Sequence, residues 1–199
     1  MKNIAGMMKL GIILAGYAAV ACVLLAFVYA GTKKIIDDRA IADQQQALKE
    51  IFPDADSFEP VEGIASPDSS VTIINAYVAK RDGAVAGMAL TVSRASYSGP
   101  VVLITGVSVD KYITGIKIME LSDTPGLGAN ASSPTYFVDR AKGITFYGQF
   151  TGKSANDPFV VKGDVHSITA STITSRAVSV AVKAAGQAAT EWLSTGGSK

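Results

Sequence analysis

Residues 10–32 contain no charged side chain, an apolar run of 23 residues between Lys9 and Lys33. At about 1.5 Å rise per residue such a helix reaches about 34 Å, enough to cross a hydrocarbon core of ~30 Å. Tyr17, Tyr29, Lys9, Lys33 and Lys34 suit its two interfaces. The run predicts a single retained anchor. A cleaved signal peptide ending at Val28-Tyr29-Ala30 and a lipoprotein acylated on Cys22 compete with it, but the run exceeds the usual ~7–15 residues of a signal core. Charge does not orient the anchor: Lys2 and Lys9 stand against Lys33, Lys34 and Arg39. Mean hydropathy is positive, as an anchor inside a 199-residue chain would make it.

Around the anchor the sequence divides into a tail (1–9), the transmembrane helix (10–32), a juxtamembrane helix and linker (33–70) and one soluble domain (71–199). Residues 35–52 continue as a helix, with Ile36, Ala40, Ala47, Leu48 and Ile51 at helical spacing and Pro53 as its stop. Residues 54–70 read as loop or irregular edge. Beyond them the apolar period shortens. Residues 71–78 and 84–93 form a hairpin around Lys80-Arg-Asp-Gly83, and 101–109 and 112–121 form a second pair. A short helix is predicted over 132–142, with Ser132 or Ser133 as cap and Tyr136, Phe137 and Ala141 inward. Short strands are expected at 144–150 and 159–161. A final helix runs from Ser171 or Thr172 to about Leu193, burying Ile173, Ala177, Ala181, Ala184, Ala188 and Trp192, and stops at Gly196-Gly197. The fold class is therefore α+β: one transmembrane helix, then a twisted antiparallel sheet with packed helices.

Composition narrows the chemistry. Eighteen Lys and Arg balance 17 Asp and Glu, which argues against a nucleic-acid binder. One cysteine permits no intramolecular disulfide, and no Cys/His cluster suggests a metal site. The sequence has no nucleophile elbow, phosphate loop or dinucleotide fingerprint. The lone His166 near several serines leaves a hydrolase as a weak alternative.

Two stretches remain. In residues 168–176 five of nine side chains are hydroxylated: Thr169, Ser171, Thr172, Thr174 and Ser175. Hydroxyls at a helix start cap backbone N–H groups, and the same helix end favours a phosphate. The second stretch, Asp123-Thr124-Pro125-Gly126-Leu127-Gly128, leaves a strand with turn chemistry that permits close approach to a bulky group.

With these motifs, Asp123-Thr-Pro-Gly-Leu-Gly128 and Thr169-Ala-Ser-Thr172 followed by Ile-Thr-Ser-Arg-Ala-Val, the chain resembles the FMN-binding subunits of membrane redox pumps. These are the G subunit of the Rnf complex and the C subunit of the sodium-translocating NADH:quinone reductase. The resemblance runs over nearly the whole chain, and the length is nearer the Rnf protein. It implies FMN bound covalently through a phosphodiester to Thr172, installed from FAD by a flavin transferase. Thr169, Ala170, Ser171, Thr174, Ser175 and residues Asp123, Thr124, Pro125, Gly126, Leu127 and Gly128 would line the site. No catalytic or metal-binding residue is implied. The chain departs from the family at Ala170-Ser171, where a Gly-Ala pair is usual, at Asp123, where Glu is usual, and around His166, where an acidic residue is usual. The resemblance further implies an electron-relay subunit of a ferredoxin:NAD-type complex in the cytoplasmic membrane. Its partners would be other membrane subunits, and its soluble domain would be extracytoplasmic. An anchored ligand-binding domain without covalent flavin is the alternative from another class.

Overall fold

The structure is a computed structural model that describes residues 2–196, with side chains from residue 6. Met1, Gly197 and the last two residues, at the ends of the ranges expected for the tail and the soluble domain, lie outside the described residues, as does the Lys2 side chain. The first helix, α1 (Lys2–Ile51), is unbroken. Its apolar part is long and apolar enough to cross a membrane. The chain falls into two compact units, residues 1–44 and 45–199.

The second unit is built on a five-stranded antiparallel meander in the order β1 (Ser57–Val61), β2 (Val71–Arg81), β3 (Ala84–Ala95), β4 (Pro100–Ser108) and β5 (Ile113–Leu121). Each strand pairs with its chain neighbour, so every connection is short. The β2–β3 turn uses Asp82 and Gly83, both at positive φ, as a two-residue hairpin of primed type requires. β1 falls inside the stretch read as loop or edge. Its Pro60 cannot donate to a ladder and is tolerated because β1 lies at the edge of the sheet.

Both faces of the sheet are covered. One face packs on the last helix, α2 (Thr172–Ser194), with Met88, Leu90, Val92, Leu103 and Val107 against Ala177, Val178, Ala181, Val182, Ala185 and Ala189. The small side chains let the helix lie close to the sheet. Ser175 and Ser179, also buried, donate their hydroxyls to the carbonyls of Ser171 and Ser175, at 2.9 and 2.8 Å. The other face takes the last turns of α1 and the residue after it: Ala47, Leu48, Ile51 and Phe52 pack on Ala79, Ala89 and Ile104. Gly87 and Gly106 open this second contact, since a Cβ on either would overlap the Phe52 ring, and at Gly106 also Ile51. Lys117 of β5 donates to Glu50 at 2.7 Å and holds its carboxyl below the usual range.

Three expectations are corrected here. The helix expected over 132–142 is absent. A 3-10 turn (Gly128–Ser132) is followed by β6 (Phe137–Asp139), which pairs with β7 (Ile144–Thr145). The connection is turn chemistry: Lys142 N–H donates to Asp139 Oδ1 at 3.1 Å and Gly143 has positive φ. Phe137 and Ala141 are exposed, not inward. The strand expected at 144–150 stops at Thr145, and 159–161 contributes one bridge, Val161 to Val165. Ile173 is 57% exposed, because the buried face of α2 begins one residue later, at Thr174.

Candidate functional site

Beyond β5 the chain turns inward at Asp123, which is only 5% exposed. Its Oδ2 accepts the hydroxyls of Ser96 (2.6 Å) and Thr174 (2.5 Å), and its Oδ1 accepts the Ser98 N–H (2.8 Å). Burial pushes this carboxyl upward, but hydrogen bonds from Ser96, Thr174, Ser98 and Tyr97 outweigh it, so it titrates below the usual range. Gly128 returns against this pair. A Cβ there would stand about 2.6 Å from both Asp123 Cβ and Thr174 Oγ1, so the close packing of turn on helix requires glycine. Between them the turn closes with Leu127 N–H on the Thr124 carbonyl at 3.1 Å and Gly126 at φ +78°.

The opposite wall is the start of α2. Ser171 N–H donates to the Ile168 carbonyl at 3.1 Å, and Ile168 N–H donates to Ser175 Oγ at 2.9 Å. This closed loop forces Ala170 to φ +59°, the left-handed region, where a Cβ costs about 1–2 kcal/mol relative to the right-handed one. The first bond of the helix is Ser175 N–H to the Ser171 carbonyl at 3.0 Å. Ser171 makes no side-chain cap. The N–H groups of Thr172, Ile173 and Thr174 therefore have no acceptor among the described residues, as expected of an uncapped first turn.

The five hydroxyls fall into two groups. Thr174 gives its proton to Asp123, and Ser175 is buried between Ile168 N–H and the Ser171 carbonyl. The hydroxyls of Thr169, Ser171 and Thr172 make no hydrogen bond among the described residues. Of these three, Thr169 is exposed and outside the cleft, and Ser171 is buried. Thr172, half-buried and the first residue of α2, lines the cleft.

That cleft measures about 440 Å³. It gathers Asp123, Thr124, Leu127, Gly128, Ala170, Ser171, Thr172 and Thr174 from the two motifs. Pro125 and Gly126 form the exposed tip of the turn, and Thr169 and Ser175 do not line the cleft. Thr169 instead donates its N–H to the Tyr136 hydroxyl at 3.3 Å. Two lining residues escaped sequence reasoning. Tyr97, from the β3–β4 loop, carries no signal beyond a tyrosine among Ser and Gly. Ile173 looked like core because it fits the helical apolar period. His166 lies elsewhere, with its backbone clasped by Gln149 (2.7 and 3.2 Å). Asp164 accepts the N–H groups of Phe159 and Val160 and pairs with Lys153 at 3.5 Å.

The RnfG N-terminal region family matches residues 1–51, and the FMN-binding domain family matches residues 96–187, which include every residue lining the cleft. The G subunit of the Na(+)-translocating ferredoxin:NAD(+) oxidoreductase complex of Acetobacterium woodii is 37% identical over 191 residues, covering 87% of each chain. The G subunit of the ion-translocating oxidoreductase complex of Methanosarcina acetivorans is 34% identical over 165 residues (81% of this chain, 82% of the relative). Its counterpart in Vibrio cholerae is 30% identical over 187 residues (89% and 87%). On a fold and cleft of this kind, with similarity running through the first helix and the FMN-binding domain alike, the chain belongs to the family of G subunits of Rnf-type ion-translocating oxidoreductase complexes.

Proposed function

We propose that the chain is a membrane-anchored electron-relay subunit of an Rnf-type ferredoxin:NAD complex, with FMN esterified through its phosphate to Thr172. The observation that carries this reading is the state of the Thr172 hydroxyl. It lines the cleft unbonded, at the head of an uncapped helix, while Thr174 and Ser175 beside it are committed to internal bonds.

The residues present fit the group. A phosphodiester keeps one negative charge, and the free N–H groups of Thr172, Ile173 and Thr174 with the helix dipole favour an anion there. The dipole contributes roughly 0.3–1 kcal/mol when exposed and up to ~2 when partly buried. Tyr97, Leu127 and Ile173, all exposed, supply apolar surface for a flat ring. Thr124, Pro125, Gly126 and Gly128 shape the turn beside it, and Ala170 and Ser171 form the bend before the helix. The cleft volume lies within the range of small-ligand sites, ~300–1,000 Å³. Bound there, FMN supplies one- and two-electron transfer; the protein supplies attachment, orientation and electrostatics. Thr172 would hold the phosphate, the first-turn N–H groups would donate hydrogen bonds to it, and the open mouth would leave an edge for partner subunits. A flavin transferase makes the bond from FAD: the Thr172 oxygen loses its proton and bonds to the FMN phosphorus, the pyrophosphate bond breaks, and AMP leaves. The residues 10–32 cross the cytoplasmic membrane, and the soluble domain lies on its outer side.

One observation favours a second reading, non-covalent FMN. The three free N–H groups would bind a phosphate without the ester. Co-expression with the transferase, denaturing electrophoresis and in-gel fluorescence separate the two. A fluorescent band in the wild type that is lost in Thr172→Val supports the ester. Flavin that leaves on denaturation supports the alternative. Protease added to intact spheroplasts should shorten the fluorescent chain, and full protection would place the domain on the inner side.

A further inference from the structure

The cleft has three walls: the β3–β4 loop carrying Tyr97, the turn after β5, and the first turn of α2. Each of the three is joined to one carboxylate. The turn carries Asp123 itself, the loop gives it the Ser96 hydroxyl and Ser98 N–H, and the helix gives it the Thr174 hydroxyl. No Lys or Arg pairs with Asp123 among the described residues, so neutral donors alone hold the buried charge. Donors fill both of its oxygens, which leaves it poorly placed to accept a further proton. Gly128 closes over the Asp123–Thr174 bond and admits nothing larger than hydrogen.

We propose that Asp123 is the positioning residue of the attachment site. By holding Ser96, Ser98 and Thr174 together it fixes the three walls so that Thr172 is presented to the transferase. By accepting the Thr174 hydroxyl it also withdraws the other first-turn hydroxyl of α2 that lines the cleft. The inference rests on the reading that Thr172 is the acceptor, and it assigns Asp123 a role through its partners, not through contact with the reacting atoms. Thr174→Val is the milder probe, since it keeps the shape of the side chain and cuts only the tether to the helix. Asp123→Ala cuts all three.

The test has two arms. In the first, hydrogen exchange is followed on the flavin-free full chain. Asp123→Ala should speed exchange in residues 96–98, 123–128 and 168–175 together, and Thr174→Val should do so in 168–175, where the N–H groups of Ile168, Ser171 and Ser175 are bonded, with the β3–β4 ladder unchanged in both. In the second, transfer of flavin to Thr172 is timed with purified transferase and FAD in excess. Asp123→Ala should lose ~10-fold or more, as misplacement of a reacting group does. Thr174→Val should lose about threefold or more, the equivalent of one hydrogen bond. Gly106→Ala, which disturbs the opposite face of the sheet, should keep a rate within about twofold of wild type, separating positioning from loss of stability. The proposal is overturned if Asp123→Ala is modified at the wild-type rate, if Gly106→Ala loses as much as Asp123→Ala, or if exchange rises in only one of the three walls of Asp123→Ala. Should the wild type carry no flavin on Thr172, the reading of the site fails, and the exchange arm still decides whether Asp123 joins the walls.

Discussion

Asp123 shows how a single side chain can be dominated by hydrogen bonds against burial. Its carboxyl titrates below its usual range despite being buried, so its ionised form stabilises the fold. Because the folded pKa is depressed, that contribution is fully present above the unfolded value of about 3.9 and is lost as pH falls through the folded value. Asp68 and Glu50 are shifted the same way, by Ser70 and by Lys117 with Gln46, so acid sensitivity alone does not isolate Asp123. Urea melts of wild type and Asp123→Asn between about pH 5 and pH 2 do. The stability difference between the two should be constant at the upper end and shrink as the pH drops. A difference independent of pH throughout would show that the carboxyl titrates alike in the folded and unfolded chain. Ala170 is the complementary case. Its Cβ sits at positive φ, so the chain retains a strained bend that leads directly into Thr172.

Among the elements, the sheet was legible because its signals are local. Alternating apolar residues and the Asp82-Gly83 turn locate β2 and β3 without tertiary information. What was not legible depended on partners distant in sequence. β1 is too polar and too short to declare itself, and exists because β2 offers an edge. Tyr136-Phe137-Val138 fits helix and strand equally, and the Asp139–Gly143 turn decides for the hairpin. At the site, the two motifs were legible as turn and helix start, whereas the bond between Asp123 and Thr174, 51 residues apart, was not. The role of Gly106 was likewise hidden until the end of α1 was seen to rest on it. Gly106→Ala should lower stability by roughly 1–3 kcal/mol, the usual cost of overpacking, measured by denaturant melts of the full chain. A neutral result would mean that Ile51 and Phe52 are not held against β4.

At the scale of the molecule, α1 contributes to two units. Its N-terminal part is long and apolar enough to cross a membrane, and its last turns belong to the second unit. Leu48, Ile51 and Phe52 each contribute about 1.5–3 kcal/mol by burial, against a total stability of ~5–15 kcal/mol for a typical domain. A fragment beginning at Gln45 should therefore fold and melt cooperatively. One beginning at Pro53 should melt several kcal/mol lower or aggregate, having bared Ala79, Ala89 and Ile104. Equal melts for the two fragments would remove the end of α1 from the domain. Placement of the flavin rests on this scaffold too, since two walls of the cleft lead from the sheet and the third begins the helix packed on it.

The central claim is that one hydroxyl of five carries the flavin. Trypsin cleavage after Lys162 and Arg176 releases all five on a single peptide, residues 163–176. Tandem mass spectrometry of that peptide, from full-length chain matured with the flavin transferase, tests the claim most directly. The expected result is an FMN phosphodiester on Thr172 alone, and an unmodified peptide from Thr172→Val. The modification on Thr169, Ser171, Thr174 or Ser175, or its persistence in Thr172→Val, would contradict it.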